Sequence, residues 1–103
     1  MRRAAKTDAN QGEIVDALRA VGASVQPLHA VGGGVTDLLV GFRGANYLIE
    51  VKDGRKPPSA RKLTPDQERW HRDWRGQVSI AEWPEDALRI IGATCRKPMD
   101  ARP

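Results

Sequence analysis

Two short apolar runs, five residues apart, constrain this chain more than anything else in it. Gly34-Val35-Thr36-Asp37-Leu38-Leu39-Val40-Gly41 is followed, after Phe42-Arg43-Gly44-Ala45-Asn46, by Tyr47-Leu48-Ile49-Glu50-Val51-Lys52-Asp53-Gly54. Both runs are rich in β-formers and bounded by glycine, the pattern of a β-hairpin. Strand side chains alternate between faces, so Tyr47, Ile49 and Val51 share one face and Leu48, Glu50 and Lys52 the other. With the turn centred on Arg43-Gly44, Phe42 pairs with Ala45 and Asp37 falls opposite Glu50. Residues so opposed have Cβ atoms about 4.5–5.5 Å apart. Two carboxylates at that distance repel, and a hard divalent cation, which takes carboxylate and water oxygens, removes the repulsion. The alternative is a solvated outer face with Glu50 and Lys52 as an ordinary charged pair. Against it, Tyr47 to Val51 is otherwise nearly all apolar, which implies burial on both faces, and a buried charge needs a partner. Gly32, Gly33 and Gly34 lead directly into Asp37 and allow backbone or ligand to approach closely.

The chain has 103 residues, enough for one domain with a thin stability margin, for which self-association would be unsurprising. Hydrophobic content of 40% and charged content of 29% fit a soluble globular protein. No apolar run approaches the roughly 18 residues of a membrane span, and no apolar segment of a secretory signal follows Met1-Arg2-Arg3. Cys95 is the only cysteine, which excludes an intramolecular disulfide and a zinc cluster and fits a cytoplasmic setting. The net charge of +4 suits a polyanionic partner.

Along the chain, residues 1–7 read as a flexible basic N-terminus. Asn10 and Glu13 have the spacing of a capping box, with Ile14, Val15, Leu18 and Val21 as the buried stripe of a first helix that Gly22 ends. Ala23 to Ala30 reads as a strand at an edge or bulged, because Pro27 lacks an N–H; His29 reads as structural or solvated, with a ligand or phosphate contact as the alternative. After the hairpin, Arg55, Lys56, Arg61 and Lys62 flank Pro57-Pro58 in an extended loop, either solvated or tracking phosphates. Thr64-Pro65-Asp66-Gln67 is a second capping box. It opens a helix that runs through Trp70, His71 and Trp74 to Gly76. Gln67, Trp70 and Trp74 share one face, and the tryptophans read as core, pressing the helix on the sheet. His71 and Arg75 read as phosphate contacts or solvated positions. Gln77 to Trp83 alternates as a closing strand, Pro84-Glu85-Asp86 opens a last helix with Ala87, Leu88 and Ile91 as its stripe, and 93–103 reads as a flexible tail.

Asp37 three residues after Gly34, the apolar hairpin, and then Glu50-Val51-Lys52 resemble the core motif of the PD-(D/E)xK nucleases. More closely, the chain resembles the small stand-alone VRR-NUC and phage Holliday-junction-resolvase-like nucleases over about residues 10–92. Thr36 stands where the nominal motif has proline. The resemblance implies a single-domain α/β restriction-endonuclease-like fold over residues 8–92, in the order α-β-β-β-α-β-α, with a mixed sheet flanked by helices. It implies a DNA endonuclease dependent on Mg²⁺ or Mn²⁺, structure-guided at junctions, flaps or branched DNA, with a homodimer as one form. By the resemblance Asp37, Glu50 and the Val51 carbonyl hold metal and Lys52 acts in catalysis. Glu13 and Gln67 support them, and Arg55, Lys56, Arg61, Lys62 and His71 contact nucleic acid. The alternative is an inactive DNA-binding or protein-interaction module on the same fold.

Overall fold

The computed structural model describes residues 9–93. The readings of 1–7 as a basic N-terminus and of 94–103 as a tail, with Cys95, lie outside the described residues. Ala93, placed in the tail by its sequence, donates its N–H to Leu88 O (2.8 Å) near the end of the last helix and packs against the core.

The element order is α1 (Gln11–Ala20), β1 (Ser24–Pro27), β2 (Leu38–Phe42), β3 (Ala45–Val51), a 3₁₀ turn (Pro58–Ala60), α2 (Pro65–Asp73), β4 (Ser79–Ala81) and α3 (Pro84–Ile90). The α-β-β-β-α-β-α order read from the sequence is the observed one. The four strands lie in chain order across one mixed sheet: β1, β2 and β3 run antiparallel and β4 joins β3 in parallel. A parallel return needs a crossover, which the 3₁₀ turn and α2 provide.

The hairpin turns at Arg43 and Gly44, both at positive φ (52° and 81°), and Phe42 pairs with Ala45. Positive φ at both central residues is the type I′ requirement, whose twist matches that of the strands. The register follows: Val40 opposes Tyr47 and Leu38 opposes Ile49. One sheet face, carrying Leu38, Val40, Ile49, Val51 and Ala81, is buried with Ile14, Val15 and Leu18 of α1, Ala87 of α3 and Ile91 at its end. Pro27 does lie on an edge strand, at the end of a β1 of only four residues. The closing strand is also shorter than its alternation indicated. Upstream of Ser79 the Gln77 side chain replaces a strand residue: its amide accepts from Leu48 N–H (2.6 Å) and donates to Leu48 O (2.8 Å).

Three expectations fail. Val21 is not part of the buried stripe: it lies just past the end of α1 and is 38% exposed. Asn10 does not cap α1 with its side chain, because its backbone is helical (φ −85°, ψ 0°) where a capping residue needs the β region. And α2 buries no residue: Trp70 and Trp74 stack on each other at 4.7 Å, and Trp74 remains 44% exposed. The sheet face toward the start of α2 carries Glu50 and Lys52, so this helix docks through polar side chains rather than an apolar stripe.

Gly34 fits the glycine run tightly to the start of α2. Its φ is +85°, and a Cβ there would lie 3.1 Å from the Gln67 amide nitrogen and nearer still to the Asp66 carbonyl. Left-handed strain and backbone overpacking each cost about 1–3 kcal/mol. Gly34→Ala is therefore expected to lower the melting temperature by at least about 10 °C, as read by thermal unfolding followed by circular dichroism.

Candidate active site

Glu50 sits on β3 with 1% of its surface exposed, on the face opposite the apolar core, and Lys52 follows on the same side, 8% exposed. The ladder between β2 and β3 ends at Leu38 and Ile49, one step short of Asp37 and Glu50. Asp37 closes that step with its side chain: Oδ2 accepts the Val51 N–H at 2.7 Å. The backbone of Leu28 donates to Asp37 O at 2.7 Å, which holds the end of the glycine loop against β1.

α2 delivers the fourth member. Thr64, in extended backbone, accepts the Gln67 N–H at 3.2 Å, and Gln67 Oε1 accepts the Thr64 N–H at 2.9 Å, so the capping box forms as its spacing implies. The same Oε1 accepts from Lys52 Nζ at 2.9 Å, while Gln67 Nε2 donates to Glu50 Oε2 at 3.0 Å. The amide orientation is determined by its neighbours. Two donors face the oxygen and a carboxylate faces the nitrogen, so the flipped amide would lose all three bonds. One glutamine thus caps a helix and joins the acid and base of the Glu50-Val51-Lys52 strand.

His71, one turn further along α2, brings Nε2 to 3.5 Å from Glu50 Oε1, with its side chain 12% exposed. Burial pushes its pKa below the usual histidine value, the Lys52 cation adds to this, and the Asp37 carboxylate opposes it. The imidazole is thus biased toward its neutral form, and it lies against the Glu50 carboxylate rather than on the outer surface.

The other sequence candidates lie elsewhere in the hydrogen-bond pattern. Glu13 is exposed on α1, and its Oε2 meets Arg55 Nη1 at 3.5 Å. Arg55 is also held by Asp53, which accepts its N–H at 3.0 Å and its Nε at 3.1 Å. The Arg55 backbone N–H, opposed by burial and helped by the guanidinium, keeps the Asp53 carboxyl below the usual range. Arg61 bonds Glu82 at 3.2 Å. Lys56 and Lys62 are exposed on the same loop.

Asn10 was not a candidate, yet it is 2% exposed and its Nδ2 donates to Lys52 O (3.0 Å) and Glu82 O (2.9 Å). It ties the end of the catalytic-candidate strand to the chain entering α3. Its partners are 42 and 72 residues away, so no local pattern could disclose the contact.

A polar cleft of about 210 Å³ opens between the glycine loop and the start of α2, lined by His29, Gly32, Val35, Asp37, Thr64 and Gln67 among others. Asp37 and Glu50 offer hard oxygen donors of the kind Mg²⁺ and Mn²⁺ take. Among the described residues no group of three or more His, Cys, Asp and Glu could hold a metal ion by itself. Two carboxylates completed by backbone oxygen, water and substrate phosphate is the usual manner of Mg²⁺ binding, so the residues fit such an ion.

No family model matches the chain, and no curated protein matches it significantly. A solved structure described as a VRR_NUC domain is similar to it, at 24% identity and a TM-score of 0.58, covering 85% of this chain and all of that one. With its four-stranded mixed sheet, three α-helices and α-β-β-β-α-β-α order, the chain has the fold of a VRR-NUC domain.

Proposed function

We propose that the protein is a metal-dependent nuclease that hydrolyses DNA phosphodiester bonds, guided by branched DNA structure rather than base sequence. The observation that carries this reading is the Gln67 amide, which holds Glu50 and Lys52 in one network beside Asp37. A solvated surface pair has no need of such a bridge, whereas a reacting cation and a metal-binding carboxylate must be kept in register. Asp37 and Glu50 would hold Mg²⁺ or Mn²⁺. Val51 turns its N–H toward Asp37, and in a strand the carbonyl of the same residue turns the same way, so it would serve as a further ligand. Such an ion, when bound, polarises a phosphate oxygen and lowers the pKa of a water. Lys52, steered by Gln67 Oε1, places its ammonium where negative charge develops on the phosphate. The Asp37 carboxylate, anchored through Oδ2, keeps Oδ1 for the ion. Glu13 acts through Arg55, and a homodimer would set two such sites for paired cuts.

Cleavage of labelled junction, flap, nicked and duplex DNA, with Mg²⁺, Mn²⁺ or EDTA, tests the proposal. Metal-dependent cutting supports it; a folded protein that binds DNA but cuts none of the panel would return the inactive binding module. Metal occupancy has its own readout. At a hundred times its dissociation constant an ion that binds only the native state contributes about 2.7 kcal/mol, a rise of roughly 10 °C or more for a domain of this size. Asp37→Asn with Glu50→Gln is expected to abolish that rise. Replacing Arg55, Lys56, Arg61 and Lys62 together by glutamine is expected to weaken DNA binding and reduce the slope of log affinity against log salt, by up to about 0.9 per lost phosphate contact on duplex. An unchanged slope would remove the loop from the DNA interface.

A further inference from the structure

The sheet face that carries Glu50 continues into an apolar groove of about 360 Å³, walled by Leu39, Leu48 and Trp74, with Asn46, Tyr47 and Gln77 also lining it. Leu39 opposes Leu48, and each is two residues from a site carboxylate on its own strand: Leu48 from Glu50, Leu39 from Asp37. Two residues along a strand span about 6.6 Å on one face, so groove and acid cluster are adjacent. Leu39 is 37% and Trp74 44% exposed. Together they leave a contiguous apolar patch open beside the acid cluster, and such patches mark binding surfaces.

Trp74 is also held rigidly. Its Nε1 donates to Gln77 O at 3.2 Å, and its ring lies on Trp70 at 4.7 Å and 14°. Gln77 is fixed in turn by both backbone groups of Leu48. The indole therefore has its polar atom satisfied within the chain and borders the groove with apolar surface at a set angle. A preorganised surface loses little conformational freedom on binding.

We propose that this groove, in a protein acting as the nuclease inferred above, holds an unpaired nucleobase of the substrate strand next to the scissile phosphate, with Trp74 as its stacking platform. A base within a duplex has both faces covered by its neighbours, so only an unpaired or displaced nucleotide can enter. Every base has a π-face, so the groove selects single-stranded character and tolerates any sequence. The charge fits a nucleotide rather than an apolar peptide. Arg69 and Arg72 of α2 are paired with Asp66 and Asp73, but Arg75 follows Trp74 directly and is exposed beside the groove, and the chain carries a net charge of +4. The substrate class is then DNA with a flap, gap or frayed branch point, not continuous duplex.

The test uses the full chain with Lys52→Ala to stop turnover, binding oligonucleotides in which 2-aminopurine occupies successive positions of a single-stranded flap. Stacking on an indole quenches 2-aminopurine, so one flap position at the branch is expected to be quenched. Adding Trp74→Ala is expected to remove the quenching and weaken flap binding about 10- to 100-fold, with duplex binding within twofold. Trp74→Phe should retain most of both. Leu39→Gln, which leaves the Trp70–Trp74 stack untouched, covers the case in which Trp74→Ala unfolds, and should weaken flap binding about threefold or more. Equal flap affinity in Trp74→Ala and its parent, or no quenching at any position, overturns the proposal. So does a solution dimer that Trp74→Ala or Leu39→Gln makes monomeric, since a second copy would then fill the groove. Quenching and flap binding without cleavage by the unmutated chain would leave the stacking site standing and remove the nuclease.

Discussion

Lys52→Ala is expected to lower DNA cleavage by at least about 100- to 1,000-fold while shifting the melting temperature by only a few degrees. Removing one preorganised donor aimed at developing charge costs about that much in turnover. The bridge itself outlasts the change: Gln67 Oε1 still accepts from Thr64 N–H, and Gln67 Nε2 still donates to Glu50. The two readouts separate a reacting cation from a structural one. A variant that cleaves at the parental rate would sink the assignment. Lys52→Arg is expected to rescue poorly, because a planar guanidinium does not reproduce a point ammonium in a nearly closed site.

Asn10→Asp is expected to be the most destabilising single change outside the apolar core. The Asn10 amide nitrogen serves two backbone carbonyls, Lys52 O and Glu82 O. Aspartate would present a carboxylate oxygen to both, in a position 2% exposed. Each buried acceptor left unmatched costs about 1–3 kcal/mol, and a buried charge adds to that. A drop of about 15 °C or more follows for a domain of this size. Asn10→Ala, which removes the donor without adding charge, should lose less. Thermal melting of the pair reads the difference; equal melting temperatures for Asn10→Asp and the unmutated chain would show that the clamp carries no stability.

What could be read from the sequence was what local chemistry decides. Two glycine-bounded β runs define the hairpin, Arg43-Gly44 sets its turn, and the turn sets every pairing up to Leu38 and Ile49. Thr64 and Gln67 are three residues apart, so their capping box could be read directly. The reach of Gln67 to Glu50 and Lys52 needed the crossover to bring α2 over β3. Where residues had two local readings, distant partners chose between them. Asn10 has the spacing of a cap, but its backbone is helical and its amide nitrogen turns to donate to carbonyls 42 and 72 residues on. Trp70 and Trp74 have the spacing of a core stripe, but the sheet beneath the start of their helix is occupied by charged groups, so they stack on each other instead. Spacing cannot tell an aromatic that seals a core from one that borders a groove, because both need the same helical face.

The Gln77 amide has a consequence for how copies of this chain meet one another. β4 covers β3 only from Ile49 to Val51, so the backbone of Leu48 faces outward on the side where another strand could add. Unpaired N–H and C=O groups on such an edge are templates for aggregation. Gln77 occupies both of them on Leu48 with a side chain that cannot propagate a ladder. A single amide thus closes the stretch of the β3 edge that β4 is too short to cover, and denies strand addition at that point.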